Sequence, residues 1–206
     1  MSIQIQISAF KLPEFKKHLG GANAGLEKEA IEAFEDLSEE VDLEEDQVED
    51  GIERIKKLIK SGKTGSVETI AEVSAVNTIV AKSDQSLGDD GEMEWPWSEL
   101  SEMQRQLAKR FDPQTKQLFN YFVEGRPLIG QKFDEEAGFY LYLTSPEVEQ
   151  LRAGLEQVYA ATSEIVDSGA MNEQDFDGGL VDSLENFMLT LGAVQCEDKD
   201  LFAISC

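Results

Sequence analysis

The sequence predicts an α+β fold dominated by helices, with a small sheet of about three strands. Ile3, Ile5 and Ile7 alternate with Gln4 and Gln6, the period of two of a strand with one buried face. Phe139-Tyr-Leu-Tyr-Leu143 is rich in aromatics and leucine, which suits a pleated, partly buried segment. Leu201 to Ser205 reads as a closing strand, and most of the remaining chain repeats apolar residues at helical spacing. Three short strands satisfy their backbone groups only by pairing, and helices must then cover the sheet. The expected plan has the segment near residue 140 as an inner strand, shared with strands from both chain ends.

The elements follow in order. Leu12-Pro13 breaks the first strand, and His18 falls near the end of a short helix before Gly20-Gly21. Leu26, Ala30, Phe34, Leu37 and Val41 mark one helix; Val48, Ile52, Ile55 and Ile59 mark a second. The two form an antiparallel pair around the acidic connection Glu39-Glu-Val-Asp-Leu-Glu-Glu-Asp46, and the second ends at Ser61-Gly62. Val67 to Ala81 is long enough to favour helix over strand. Ser83 to Glu94 reads as a surface loop, followed by Trp95-Pro-Trp97. A helix from about Ser98 carries Leu100, Met103, Leu107 and Phe111. Asp112-Pro113 interrupts it before a short helix through Phe119 and Phe122 to Gly125.

Gly125, Pro127 and Gly130 punctuate a loop ahead of the tyrosine segment. Thr144-Ser-Pro-Glu147 then starts a helix. Thr144 caps the first amides, Glu147 answers as the capping-box acid, and Pro146 sits where its missing N–H costs little. Val148, Leu151, Leu155 and Val158 continue it; Thr162 to Gly169 reads as a turn of helix and a loop. Leu180, Leu184, Met188 and Leu191 make the last helix, closing near Gly192. No internal repeat appears, and the flanks of the Ser83–Glu94 loop are too small to stand alone, so residues 1–206 are expected to form one domain.

Composition bounds the function. The chain has 206 residues, 41% of them hydrophobic, which supports a globular core. Forty-two acids against 18 bases give a net charge of -24. Phosphate binding needs clustered Lys and Arg, so nucleic acid is excluded as a partner, and so is an anionic membrane surface. No apolar run approaches the roughly 20 residues of a spanning helix. The N-terminus lacks the basic and apolar regions of a signal peptide. Two cysteines, Cys196 and Cys206, with no CxxC spacing, fit a cytoplasmic protein with reduced thiols; a disulfide between them is the alternative.

Catalytic and metal motifs fail on spacing. Ser61-Gly-Lys-Thr-Gly65 contains GKT, but Lys57 stands where a phosphate loop needs its first glycine, after an amphipathic helix instead of a strand. Glu173, Asp175, Asp177 and Gly178 match half of a calcium loop; the bidentate acid belongs at Leu184 and arrives one late, at Glu185. The single histidine has no visible catalytic partner. No cofactor-binding loop is present, so none is expected.

The runs GRPLIG, FDEEAGFYLYLTSPEVEQLRAGLE, LVDSLENFMLTL and DLFAIS together resemble the YfbM-like group of bacterial domains of unknown function. The resemblance covers roughly the C-terminal 80 residues and the first strand, leaving Leu26 to Trp97 outside it. The cap here, Thr144-Ser-Pro-Glu147, has an inserted Ser. The resemblance implies an α+β fold with no established activity and no catalytic residues to carry over.

The residues point first to a binding or interaction module whose acidic surface meets a basic protein; the competing reading of the same charge is simple solubility. A ligand wall is expected between the tyrosine strand and the GRPLIG loop: Arg126 near Asp134, facing Tyr140 and Tyr142, suits a peptide or small polar ligand. The competing reading has Arg126 pairing with an acid to fix the loop. Trp95 and Trp97 are either an exposed recognition element or a plug at the core edge. Two other functions compete with binding. One is a hydrolase using adjacent acids such as Asp134 with Glu135 or Glu136; the other is weak divalent-cation binding by the acidic loops.

Overall fold

A computed structural model describes residues 3–21, 23–62, 69–83, 93–126, 128, 138–167, 179–196 and 199–205. Its strands are β1 (Gln4–Phe10), β2 (Met93–Pro96), β3 (Tyr140–Leu143) and β4 (Asp200–Ser205). Four helices come early: α1 (Leu12–His18), α2 (Ala24–Glu40), α3 (Glu45–Ser61) and α4 (Ile70–Ala81). Four come late: α5 (Trp97–Leu107), α6 (Pro113–Glu124), α7 (Ser145–Asp167) and α8 (Gly179–Cys196).

The sheet is antiparallel throughout, in the order β2-β1-β4-β3. It therefore has four strands, not three. The extra strand is β2, formed by residues that read as the end of a loop and the Trp-Pro-Trp segment. Four residues ending in proline are too few to show a period of two. Only the long-range register, Ile5 opposite Trp95 and Ile7 opposite Met93, makes them a strand. The inner strands are β1 and β4, from the two ends of the sequence, and the tyrosine strand β3 lies at an edge, not inside.

Alternation along the strands builds two cores. Ile5, Ile7, Ala9, Trp95, Leu141, Leu143, Leu201 and Ala203 face α5–α8. Phe10, Tyr140, Phe202 and Ile204 face α1–α4. The early helices thus cover one face of the sheet and the late helices the other. Among the early helices, α4 is buried on nearly all sides: Ala71, Val73, Ala75, Val76, Ile79 and Val80 are all core residues. A helix apolar all round belongs inside, which is why its period was hard to tell from a strand.

Two helices run longer than their spacing predicts. α7 continues through Thr162 to Asp167, and α8 passes Gly192 and reaches Cys196. Gly192 does not stop α8; a Cβ there would meet the Arg152 side chain of α7 at an ordinary contact distance of 3.5 Å. Two other boundaries follow their caps, whereas α5 ends at Leu107, before the Phe111 that its spacing includes. Asp112 accepts from the amides of Gln114 (2.9 Å) and Thr115 (3.1 Å) at the start of α6. Gly62 ends α3 at a φ of 65°, in the left-handed region that glycine enters without cost.

Candidate functional site

The elements around Arg126 converge at the outer edge of β3. α6 ends at Gly125, whose φ of 78° turns the chain back alongside the strand. The Arg126 amide then donates to the Tyr140 carbonyl at 2.9 Å, and its guanidinium donates to the Tyr142 carbonyl at 3.2 Å. Phe139 pairs inward with Ser205 of β4, so Tyr140 and Tyr142 are the residues whose carbonyls point outward. One residue therefore takes both outward carbonyls of the edge strand. Exposed edges template aggregation, and a basic residue lying on one blunts it.

The Arg126 guanidinium also donates to Glu147 Oε2 at 2.9 Å. Its Cζ lies 4.2 Å from the ring centre of Tyr142 and 4.9 Å from that of Tyr121. Glu147 is the capping-box acid of α7: the Thr144 amide and hydroxyl each reach the same Oε2 at 2.9 Å. Partial burial pushes the Glu147 carboxyl up. The hydrogen bonds from Arg126 and Thr144 outweigh it and hold the group below its usual range. Burial opposes the charge on Arg126 as well, and the bond to Glu147 more than restores it. The side chains of Arg126 and Glu147 keep 22% and 26% of their exposure, so the pair opens to solvent.

The expected ligand wall is not one surface. Tyr140 is fully buried in the core under α1–α4, against Phe202, so only Tyr142 is partly exposed. Trp95 is 8% exposed in the opposite core, edge-on to Phe187, with its indole N–H on Thr190 at 3.2 Å. Trp97 opens α5, packs on that same core and donates to the Val123 carbonyl at 3.4 Å. The two indoles thus plug the core edge and fix the entry to α5. Asp134, with Glu135 and Glu136, lies outside the described residues, as do Cys206, the calcium-like loop Glu173–Gly178 and Lys63–Gly65 of the GKT turn. Arg126 pairs with Glu147, which the sequence marks only as a helix cap.

Two further residues escaped sequence reasoning. Tyr121 sits in an ordinary helical run, and nothing local signals that its ring meets a guanidinium. Asp200 stands in the polar run Glu197-Asp-Lys-Asp200, where nothing local marks it. It in fact accepts from the Leu12 amide (2.8 Å) and the Ser145 amide (2.9 Å), the first residues of α1 and α7. A single carboxylate thereby ties together helices from both layers.

The chemistry on offer elsewhere is that of anchored charges. Among the described residues, four carboxyls lie clearly off their ordinary values, Glu14, Glu102, Asp112 and Glu147, and all move down, toward the ionised form. His18 sits at the end of α1 with Nε2 3.2 Å from the Lys82 carbonyl. Among the described residues no three His, Cys, Asp or Glu side chains are placed to hold a metal ion, and no helix is long and apolar enough to cross a membrane. No family model, curated protein or solved structure matches the chain.

Proposed function

We propose that this protein is a cytoplasmic binding module that engages a basic protein segment through the α2–α3 hairpin. One observation carries the reading. From Glu29 to Glu53 the chain has thirteen acidic residues and no basic one, and all thirteen are exposed. The buried positions of the same helices, among them Ala30, Phe34, Gly51 and Ile55, are turned to the core. The Glu29–Glu53 segment therefore presents one sign of charge, with exposed Lys28, Lys57 and Lys60 lying beyond its two ends, and Val41 stands 41% exposed at the hairpin tip.

Such a surface raises the local concentration of a cationic partner and speeds its encounter. A groove of about 360 Å³ along α2, lined by Glu27, Lys28, Ile31, Glu32 and Glu35, gives the partner a partly apolar floor. The YfbM-like resemblance is retained within this proposal, supported by the tyrosine-bearing strand, the Thr144 cap, and the late helix and strand.

The test is capture from a lysate by the immobilised protein. It is repeated with a variant carrying Glu35→Gln, Glu39→Gln, Glu40→Gln, Asp42→Asn, Glu49→Gln and Asp50→Asn. None of these six positions is a helix cap. The expected captured proteins are basic, are released by salt as screening shortens the reach of the charges, and are lost with the variant. Retention of the same proteins by the variant overturns the assignment to the hairpin.

A further inference from the structure

Arg126 has more partners than covering an edge requires. Its backbone amide already satisfies the Tyr140 carbonyl. The side chain separately meets a carboxylate oxygen, a carbonyl and two aromatic rings. That is the chemistry by which a site recognises a guanidinium. The carboxylate takes the charge, the carbonyl takes a second N–H, and the ring faces favour a planar, weakly hydrated cation.

The walls of this slot do not depend on the arginine. Tyr121 belongs to α6, Tyr142 to β3, and Glu147 to the first turn of α7. Glu147 stays anchored by the Thr144 amide and hydroxyl whether or not a cation is present. Removing the side chain would thus leave a preformed receptor. Because both Arg126 and Glu147 reach solvent, a cation can enter and leave without opening the core.

We propose that the Tyr121–Tyr142–Glu147 slot is a binding site for an arginine side chain, held in the free protein by the chain's own Arg126 and taken by a partner's arginine in exchange. The site lies on the β3 edge, apart from the α2–α3 hairpin, and stands if the hairpin reading falls. Exchange has a cost: a site filled from within binds its outside ligand more weakly, in proportion to the fraction of time it is vacant. Arg126 is therefore an autoinhibitory contact as well as an edge guard.

The experiment compares the full chain with Arg126→Ala, using ethylguanidine as the small probe and acetyl-Gly-Arg-Gly-amide as the arginine donor. Ethylguanidine should raise the melting temperature of Arg126→Ala and leave the wild type nearly unmoved, since a ligand stabilises only the state it binds. Ethylammonium, with the same charge but no planar fork, should do much less. Calorimetry should show the peptide binding Arg126→Ala about tenfold or more tighter than wild type, with measurable binding to both. Adding Glu147→Gln should abolish both effects. If Arg126→Ala is too unstable to isolate, Arg126→Gln carries the same comparison. Equal responses of variant and wild type to ethylguanidine, or rescue that survives Glu147→Gln, overturn the site. A wild type that shows no arginine-dependent binding at millimolar peptide overturns the exchange. The hairpin variant should bind the peptide like wild type, which separates failure here from failure of the hairpin reading.

Discussion

The chain uses one local device twice, with different surroundings. At the start of α4, Thr69 and Glu72 form a capping box, and Arg54 of α3 donates to Glu72 Oε1 at 2.6 Å. At the start of α7 the Thr144 amide and hydroxyl both donate to Glu147, the carboxylate half of such a box, and Arg126 donates to it as well. At α4 the carboxylate is nearly sealed: the Glu72 side chain keeps 5% of its exposure on a core helix, while its arginine keeps 21%. The Glu147 pair keeps about a quarter, and its arginine lies against two tyrosine rings. At α4 the guanidinium and the cap use opposite oxygens of the carboxylate. At α7 three donors converge on Oε2. A similar cap-plus-arginine arrangement thus has a buried carboxylate at α4 and a partly open one at α7.

Burial decides how much each costs to break, and this gives the largest expected effect. Glu72→Ala removes a carboxylate that is 5% exposed and accepts from both Arg54 and Thr69, and should cost about 2–3 kcal/mol. Glu147→Ala removes a carboxylate that is 26% exposed and should cost about 1–2 kcal/mol. Urea unfolding of the two variants checks the order; equal losses would mean that the two motifs are energetically alike.

Next in size is the tie that only the α7 motif possesses. Asp200 bonds the amides beginning α1 and α7. Asp200→Ala should cost about 1–2 kcal/mol, the range of a lost helix cap. Amide exchange should quicken in the first turns of α1 and α7 together, with that of α4 unchanged. Quickening confined to one helix would refute the double tie.

The smallest effect is in acid. The Glu147 carboxyl, pushed up by burial but held down by Arg126 and Thr144, has a folded pKa below its ordinary 4.5. The folded chain therefore binds its proton less readily than the unfolded chain. The stabilisation is complete above the unfolded pKa and fades as pH falls through the folded one. The stability gap between wild type and Glu147→Gln should accordingly be widest near neutrality and narrow in acid. A gap that stays constant down the titration would show that the carboxylate charge contributes nothing.

Much of this could be read from local sequence. Thr144-Ser-Pro-Glu147 names its own capping acid, Asp112-Pro113 its own helix start, and the isoleucines at 5 and 7 their own buried face, because each signal lies within a few residues of the group it satisfies; Ile3, read with them, is 49% exposed ahead of β1. Arg126 was legible as an arginine needing an acid. The acid itself was not, since Glu147 lies 21 residues away and looked already employed. Tyr140 and Tyr142 were assigned to one face correctly, but how deeply each is buried was not in the alternation.

The sequence by itself determined the helix-rich α+β class, the strands at both ends and beside residue 140, the capped helix starts and the excess of negative charge. These depend on propensity, period and short-range hydrogen bonds. Tertiary structure alone decided that β2 exists, that the tyrosine strand takes an edge, that Asp200 joins the layers and that a guanidinium rests between Tyr121 and Tyr142. Each of those depends on backbone groups or rings brought together from distant parts of the chain. No local pattern records which partner will arrive.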